Sequence, residues 1–135
     1  MATKFIVDTH ALIWYWESSP RLGNAAKAVL DDPVSELVFS LIALAEAVDI
    51  VDKGRTKILD APTLLNRVFN DPRIELQPFN LEILQVSLQA RAVPEMHDRL
   101  IVATGLALQN QGAQVAILTK DVRITAAALL PVIWD

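Results

Sequence analysis

Cysteine is absent from the chain, which excludes a disulfide frame and any thiolate metal site and fits a reducing compartment. Glycine is scarce, with only four residues. None of them forms the Gly-rich phosphate loop of a nucleotide-binding fold, so that class is excluded. No apolar run reaches membrane-spanning length. The nearest, residues 38–51, is interrupted by Glu46 and Asp49. The first residues lack a basic region followed by an apolar core and a small-residue cleavage site, so export is not expected and a cytoplasmic location is. Positive charge is not in excess either: the formal net charge is -4. Bulk charge therefore gives no support for nucleic-acid binding, which usually relies on a basic surface. Lys53, Arg55 and Lys57 form one small basic cluster, which reads equally well as a solvated helix end and loop.

What the chain has is apolar content, 53% of 135 residues, spread along its length. That length is one domain's worth, and residues 1–135 are expected to form a single domain. Phe5-Ile6-Val7 is a consecutive bulky run that suits a strand covered on both faces. It ends in Asp8, and residues 11–16 read as helix. Asp8 thus falls at the carboxyl end of a strand, where an open parallel sheet carries its binding crevice. The same Asp serves equally as a helix cap.

Further along, the pattern predicts helices over residues 20–30, 41–53, 57–69, 81–92, 98–110 and 124–130. Strands are predicted at 36–39, 74–76, 115–119 and 131–134. Ser40 is placed to cap the third helix and Asn80 the fifth. About five strands alternate with helices, which is an α/β pattern with a mainly parallel sheet between helical layers. In the helix over 98–110 apolar residues occur all round, the mark of a buried central helix. Gly105 inside it implies close approach of another element. In the helix over 81–92, Ile83, Leu84, Val86, Leu88 and Ala90 are available for packing. The aromatic run Trp14-Tyr15-Trp16 and the high apolar content suggest surface buried by a second copy or a partner; internal packing of these rings is the competing reading.

Three acids stand out by position. Asp8 and Asp121 each follow an apolar strand, and Asp98 starts the most apolar helix, where a carboxylate is favoured by free N–H groups. Carboxylates gathered in one crevice raise one another's pKa, and a divalent cation relieves the repulsion. All-oxygen ligation suits Mg2+ or Mn2+ rather than zinc. Glu46 shares a helix face with Asp49 and Lys53, and periodicity cannot tell a solvated face from a cleft.

These residues carry a family resemblance. Val7-Asp8-Thr9-His10-Ala11-Leu12-Ile13-Trp14, Ser40 with Glu46, His97-Asp98-Arg99-Leu100-Ile101-Val102-Ala103-Thr104, Leu118-Thr119-Lys120-Asp121 and the closing Val132-Ile133-Trp134 resemble, in order, the motifs of PIN-domain ribonucleases. The resemblance is to the small VapC-type toxins of toxin-antitoxin pairs. It implies a three-layer α/β/α domain with a mainly parallel, about five-stranded central sheet, and a metal-dependent endoribonuclease that uses Mg2+ or Mn2+. The family's catalytic and metal-binding carboxylates fall on Asp8, Glu46, Asp98 and Asp121, with Thr119 and Thr9 as accessory hydroxyls. His10, His97 and Arg99 are candidates for substrate contact or for supporting the ligands. Implied partners are an RNA substrate, a small antitoxin whose tail occupies the active-site groove, and a second copy in a homodimer. Gly105 departs from the alanine common in that helix, and the acidic net charge fits a generic nucleic-acid binder poorly.

Rival readings remain. A phosphoacceptor receiver domain would need an acidic pair after its first strand and an Asp after its third. Here Asp8 stands alone and Ile74-Glu75-Leu76 is followed by Gln77-Pro78. A metal-dependent nuclease acting on DNA or flap structures shares the chemistry, because a metal-phosphate site meets the same backbone in both. A non-catalytic interaction module would use the acids only as caps.

Overall fold

The computed structural model describes residues 2–135. Its elements run β1 (Thr3–Val7), α1 (Thr9–Trp16), α2 (Asn24–Asp31), β2 (Glu36–Ser40), α3 (Leu41–Asp52), α4 (Ala61–Asn70), β3 (Ile74–Gln77), α5 (Leu81–Ser87), α6 (Met96–Asn110), β4 (Gln114–Leu118), α7 (Val122–Ala127) and β5 (Val132–Ile133). The five strands form one sheet in the order β3-β2-β1-β4-β5, and every pairing is parallel. The architecture is the expected three-layer α/β/α fold.

β1 is the central strand, hydrogen-bonded to β2 on one side and β4 on the other. This explains its uninterrupted apolar run, since Ile6 and Val7 are at most 1% exposed. The chain builds outward from β1 through β2 to β3, then returns to the other side of β1 for β4 and β5. The reversal lies between β1 and β4. In open α/β sheets such a switch point leaves a crevice beyond the carboxyl ends of the strands. The residues there are Asp8 after β1 and Thr119-Lys120-Asp121 after β4.

α6 is the buried central helix, with residues 100–105, Ala107 and Leu108 out of solvent and Leu106 between them half-buried. A Cβ on Gly105 would lie 2.6 Å from Leu130 Cδ1, 3.2 Å from Ile6 Cγ1 and 3.3 Å from Val115 Cγ1. The missing side chain lets α6 lie close against β1 and β4.

Several expected boundaries move, for local reasons. α2 begins at Asn24 rather than near Pro20, with Gly23 as its N-cap. α4 begins at Ala61, because Asp60 caps it and Pro62 fits only its first turn. α5 ends at Ser87, five residues short of the expected helix, and passes into a run of turns. α6 begins at Met96, so Asp98 lies in its first turn and Glu95, not Asp98, is the cap. Packing also differs on α5. Ile83 and Val86 are buried, but Leu81, Leu84 and Leu88 are 66%, 47% and 59% exposed. Trp14, Tyr15 and Trp16 instead pack half-buried onto the main core. Among the described residues no helix is long and apolar enough to cross a membrane.

Candidate active site

Asp8 leaves β1 in extended geometry and caps α1 through its Oδ1, which accepts from the Thr9 N–H at 2.8 Å. Its Oδ2 accepts from Thr119 Oγ1 at 2.7 Å. Thr119 Oγ1 also accepts from the Asp121 N–H at 3.0 Å, so one hydroxyl ties the end of β1 to the turn after β4. Asp121 in turn caps α7 by accepting from the Arg123 N–H at 2.8 Å. Asp8 is therefore a cap, but its second oxygen is held by a bond that capping does not need.

Asp8, Glu46, Asp98 and Asp121 line one cavity of about 550 Å³, together with Glu95, which sequence reasoning missed. Glu46 reaches it from the middle of α3. Its presumed neighbours do not: Asp49 and Lys53 point to solvent as an exposed pair at 2.8 Å. Glu95 Oε2 accepts from the Asp98 N–H at 2.8 Å, and Oε1 lies 2.9 Å from His97 Nδ1. The signal for Glu95 was present as an oxygen-bearing side chain three residues ahead of an N–H in the first turn of α6. Glutamate is an uncommon cap, and the pattern was easily passed over.

The electrostatics follow from burial and crowding. Burial pushes the Asp8 carboxyl up, and the Glu46 charge adds to this, against the Thr119 and Thr9 hydrogen bonds. Asp98 is pushed up to about 7, first by burial and then by the charges of Asp8, Asp121 and Glu95. Hydrogen bonding to Glu95 raises the His97 pKa. Burial opposes the Glu95 charge, but the Asp98 and His97 N–H groups and the His97 ring outweigh it and hold its pKa low.

Four expected residues lie outside the cavity lining, Thr119 among them although it is bonded to Asp8. Thr9 is fully buried, with its hydroxyl aimed at the Ala43 carbonyl at 3.4 Å; it is absent from the cavity lining. Arg99 donates from Nε and Nη2 to the carbonyls of Val93 and Pro94 at 2.9 and 3.1 Å, which fastens the loop ahead of α6, and it does not line the cavity. His97 is exposed on the flank with Glu95. His10 does line the cavity, beside Trp14 and Lys120.

Among the described residues no three His, Asp or Glu side chains are drawn together as a ready-made metal cluster. The chemistry of the donors nonetheless suits a hard divalent cation. The cavity acids offer oxygen alone, and the Asp98 pKa, raised by burial first and by the neighbouring acids second, is of the kind that bound positive charge offsets.

A parallel five-stranded sheet between helical layers, with acids converging at its switch point, defines the fold class as three-layer α/β/α. The sequence matches the PIN domain family over residues 5–129, and the chain belongs to that family. Comparison with curated protein sequences yields no match. Among solved structures, the chain is similar to VapBC2 from Rickettsia felis bound to a DNA fragment from its promoter. There the identity is 17% and the TM-score 0.72, over 98% of this chain and 100% of that one. DNA-bound VapBC from Salmonella typhimurium gives 14% and 0.63, over 96% of each chain. VapBC-1 from nontypeable Haemophilus influenzae gives 20% and 0.62, again over 96% of each. At these identities the likeness is one of fold.

Proposed function

We propose that the chain is a single-domain, Mg2+- or Mn2+-dependent endoribonuclease and the cytoplasmic toxin of a toxin-antitoxin pair. The observation that supports this most is the convergence of Asp8, Glu46, Asp98 and Asp121 on one cavity at the sheet's switch point, within a PIN-domain chain. The VapBC complexes it is similar to in fold support an antitoxin as partner. The exposed apolar stripe of Leu81 and Leu84 on α5 and Leu88 at its C-cap supports self-association.

In this reading Asp8, Glu46, Asp98 and Asp121 would hold the cation through carboxylate oxygens. The chemistry such a cation would supply when bound is a lowered water pKa and an offset to the negative charge of the phosphodiester. Thr119 fixes the Asp8 rotamer through Oδ2. Glu95 caps α6 and so orients the first turn that carries Asp98. No side chain is then required as the general base.

The test is cleavage of a mixed RNA pool with Mg2+ or Mn2+ by the wild type and by Asp8→Asn. Asn retains helix-capping ability, so a purely structural Asp8 leaves cleavage unchanged. The nuclease reading expects the variant to fold, to bind metal weakly and to lose nearly all cleavage. Unchanged cleavage by Asp8→Asn would overturn it.

A further inference from the structure

The acidic cavity adjoins a second cleft of opposite character. This cleft, also about 550 Å³, is lined by Arg21, Arg55 and Lys57 with Glu17 as its only acid. Glu17 is already engaged, accepting from Thr56 Oγ1 and the Lys57 N–H at 2.7 and 2.6 Å. Among the described residues, none of Arg21, Arg55, Lys57 and Lys120 forms an ion pair. His10 and Trp14 line both cavities and form the ridge between them. Their ring centroids are 5.5 Å apart. The Arg21 guanidinium and the Lys120 ammonium lie 5.9 and 5.8 Å from the Trp14 ring centroid. The His10 ring is exposed and the Trp14 ring half-buried.

We propose that this ridge and cleft form a binding track for single-stranded RNA, leading from the acidic cavity over His10 and Trp14 to Arg21, Arg55 and Lys57. The proposal rests on the nuclease reading for the identity of the ligand. A chain of net charge -4 with five acids around one cavity does not attract a polyanion through its bulk field. The approach must therefore be set by local cations free of internal ion pairs. Cations flanking an aromatic platform are what a single strand needs: phosphates meet the charges, and an unstacked base lies on the rings. A duplex keeps its bases stacked internally and cannot use the ridge. Lys53, adjacent in sequence, is spent on Asp49 at 2.8 Å and does not line the cleft.

The experiment measures binding of a fluorescein-labelled, mixed-sequence single-stranded RNA to the full chain at several salt concentrations, without divalent cation so that nothing is cut. Duplex RNA of the same sequence is the comparison. The wild type is expected to prefer the single strand, with affinity falling as salt rises. Arg55→Ala with Lys57→Ala is expected to weaken binding at least tenfold and to reduce the log-log salt slope by roughly 1.4, two phosphate contacts' worth for a single strand. His10→Ala is expected to weaken binding with little change in slope, as loss of a stacking surface does. Trp14→Phe keeps a ring on the core and guards against misfolding of a smaller replacement. Lys53→Ala is the control and should bind as wild type. Failure of the wild type to bind single-stranded RNA at low salt, or equal binding and slope in the Arg55/Lys57 double variant, would overturn the track. The two readings separate cleanly. If the wild type cuts RNA with Mg2+ while the double variant binds and cuts equally well, the track fails and the nuclease stands. If the strand binds through these cations but no RNA is cut, the track stands and the nuclease fails.

Discussion

Thr119 Oγ1 donates to Asp8 Oδ2 at 2.7 Å, joining residues 111 positions apart. Both are almost fully buried, 1% and 9% exposed. The bond also opposes the burial that raises the Asp8 pKa. Thr119→Val keeps the shape and removes the donor, leaving a buried carboxylate oxygen without its partner. A loss of about 1–3 kcal/mol in stability is expected at neutral pH, with a further rise in the Asp8 pKa. Thr119→Ser should preserve both. Urea melts of the three proteins at pH 7 check this; equal midpoints for the Val variant and the wild type would mean the bond contributes nothing.

The raised Asp98 pKa carries a sign for stability. A carboxyl of ordinary pKa 3.8 in the unfolded chain and about 7 in the fold binds its proton more tightly when folded. The folded state is thus favoured at low pH relative to neutral pH. Stability of the metal-free protein should fall as pH rises from about 4 to about 7 and then level off, as far as this group is concerned. Asp98→Asn should flatten that part of the profile. Thermal melts in chelator across pH 4.5–8 are the measurement, and a metal-free wild type with the same profile as Asp98→Asn would refute the assignment.

Gly23 is expected to resist substitution although its backbone angles are ordinary. A Cβ there would fall 2.0 Å from the Trp134 carbonyl oxygen and 2.6 Å from its carbon. That same carbonyl accepts from the Ala26 N–H at 3.0 Å, so the close approach fastens the end of the chain to α2. Gly23→Ala should destabilise by about 1–3 kcal/mol through overpacking against backbone. It should also displace Trp134, whose ring lies 6.0 Å from that of Trp14. A melting curve with a changed tryptophan emission spectrum is the expected result, and a variant indistinguishable in both would be contrary to it.

Arg99 separates a structural role from a substrate role. Its two hydrogen bonds run to the carbonyls of Val93 and Pro94, and a lysine keeps the charge but not the fork. Arg99→Lys should therefore lower stability by about 1–2 kcal/mol, and Arg99→Gln, which removes the charge, should leave the salt slope of RNA binding unchanged. A variant of wild-type stability with a shallower slope would restore the phosphate-contact reading.

The sequence alone determined the sheet class and the positions of three acids. Consecutive apolar residues such as Phe5-Ile6-Val7 report burial on both faces, and the residue that ends such a run is at a strand end wherever the strand sits. Those facts are local, and Asp8 and Asp121 carried them, while Asp98 was marked by the apolar helix whose first turn holds it. The tertiary structure decided what depends on distant partners. Glu46, Asp49 and Lys53 share one helix face, yet only Glu46 meets the cavity, on a helix that α1 and α6 pack against. Leu84 and Ile83 look alike in sequence, but α6 covers only the second. Arg55 and Lys57 were one face of a solvated loop until the fold set them beside Arg21, His10 and Trp14. Helix periodicity states which residues share a side, and only the packing of other elements determines what that side faces.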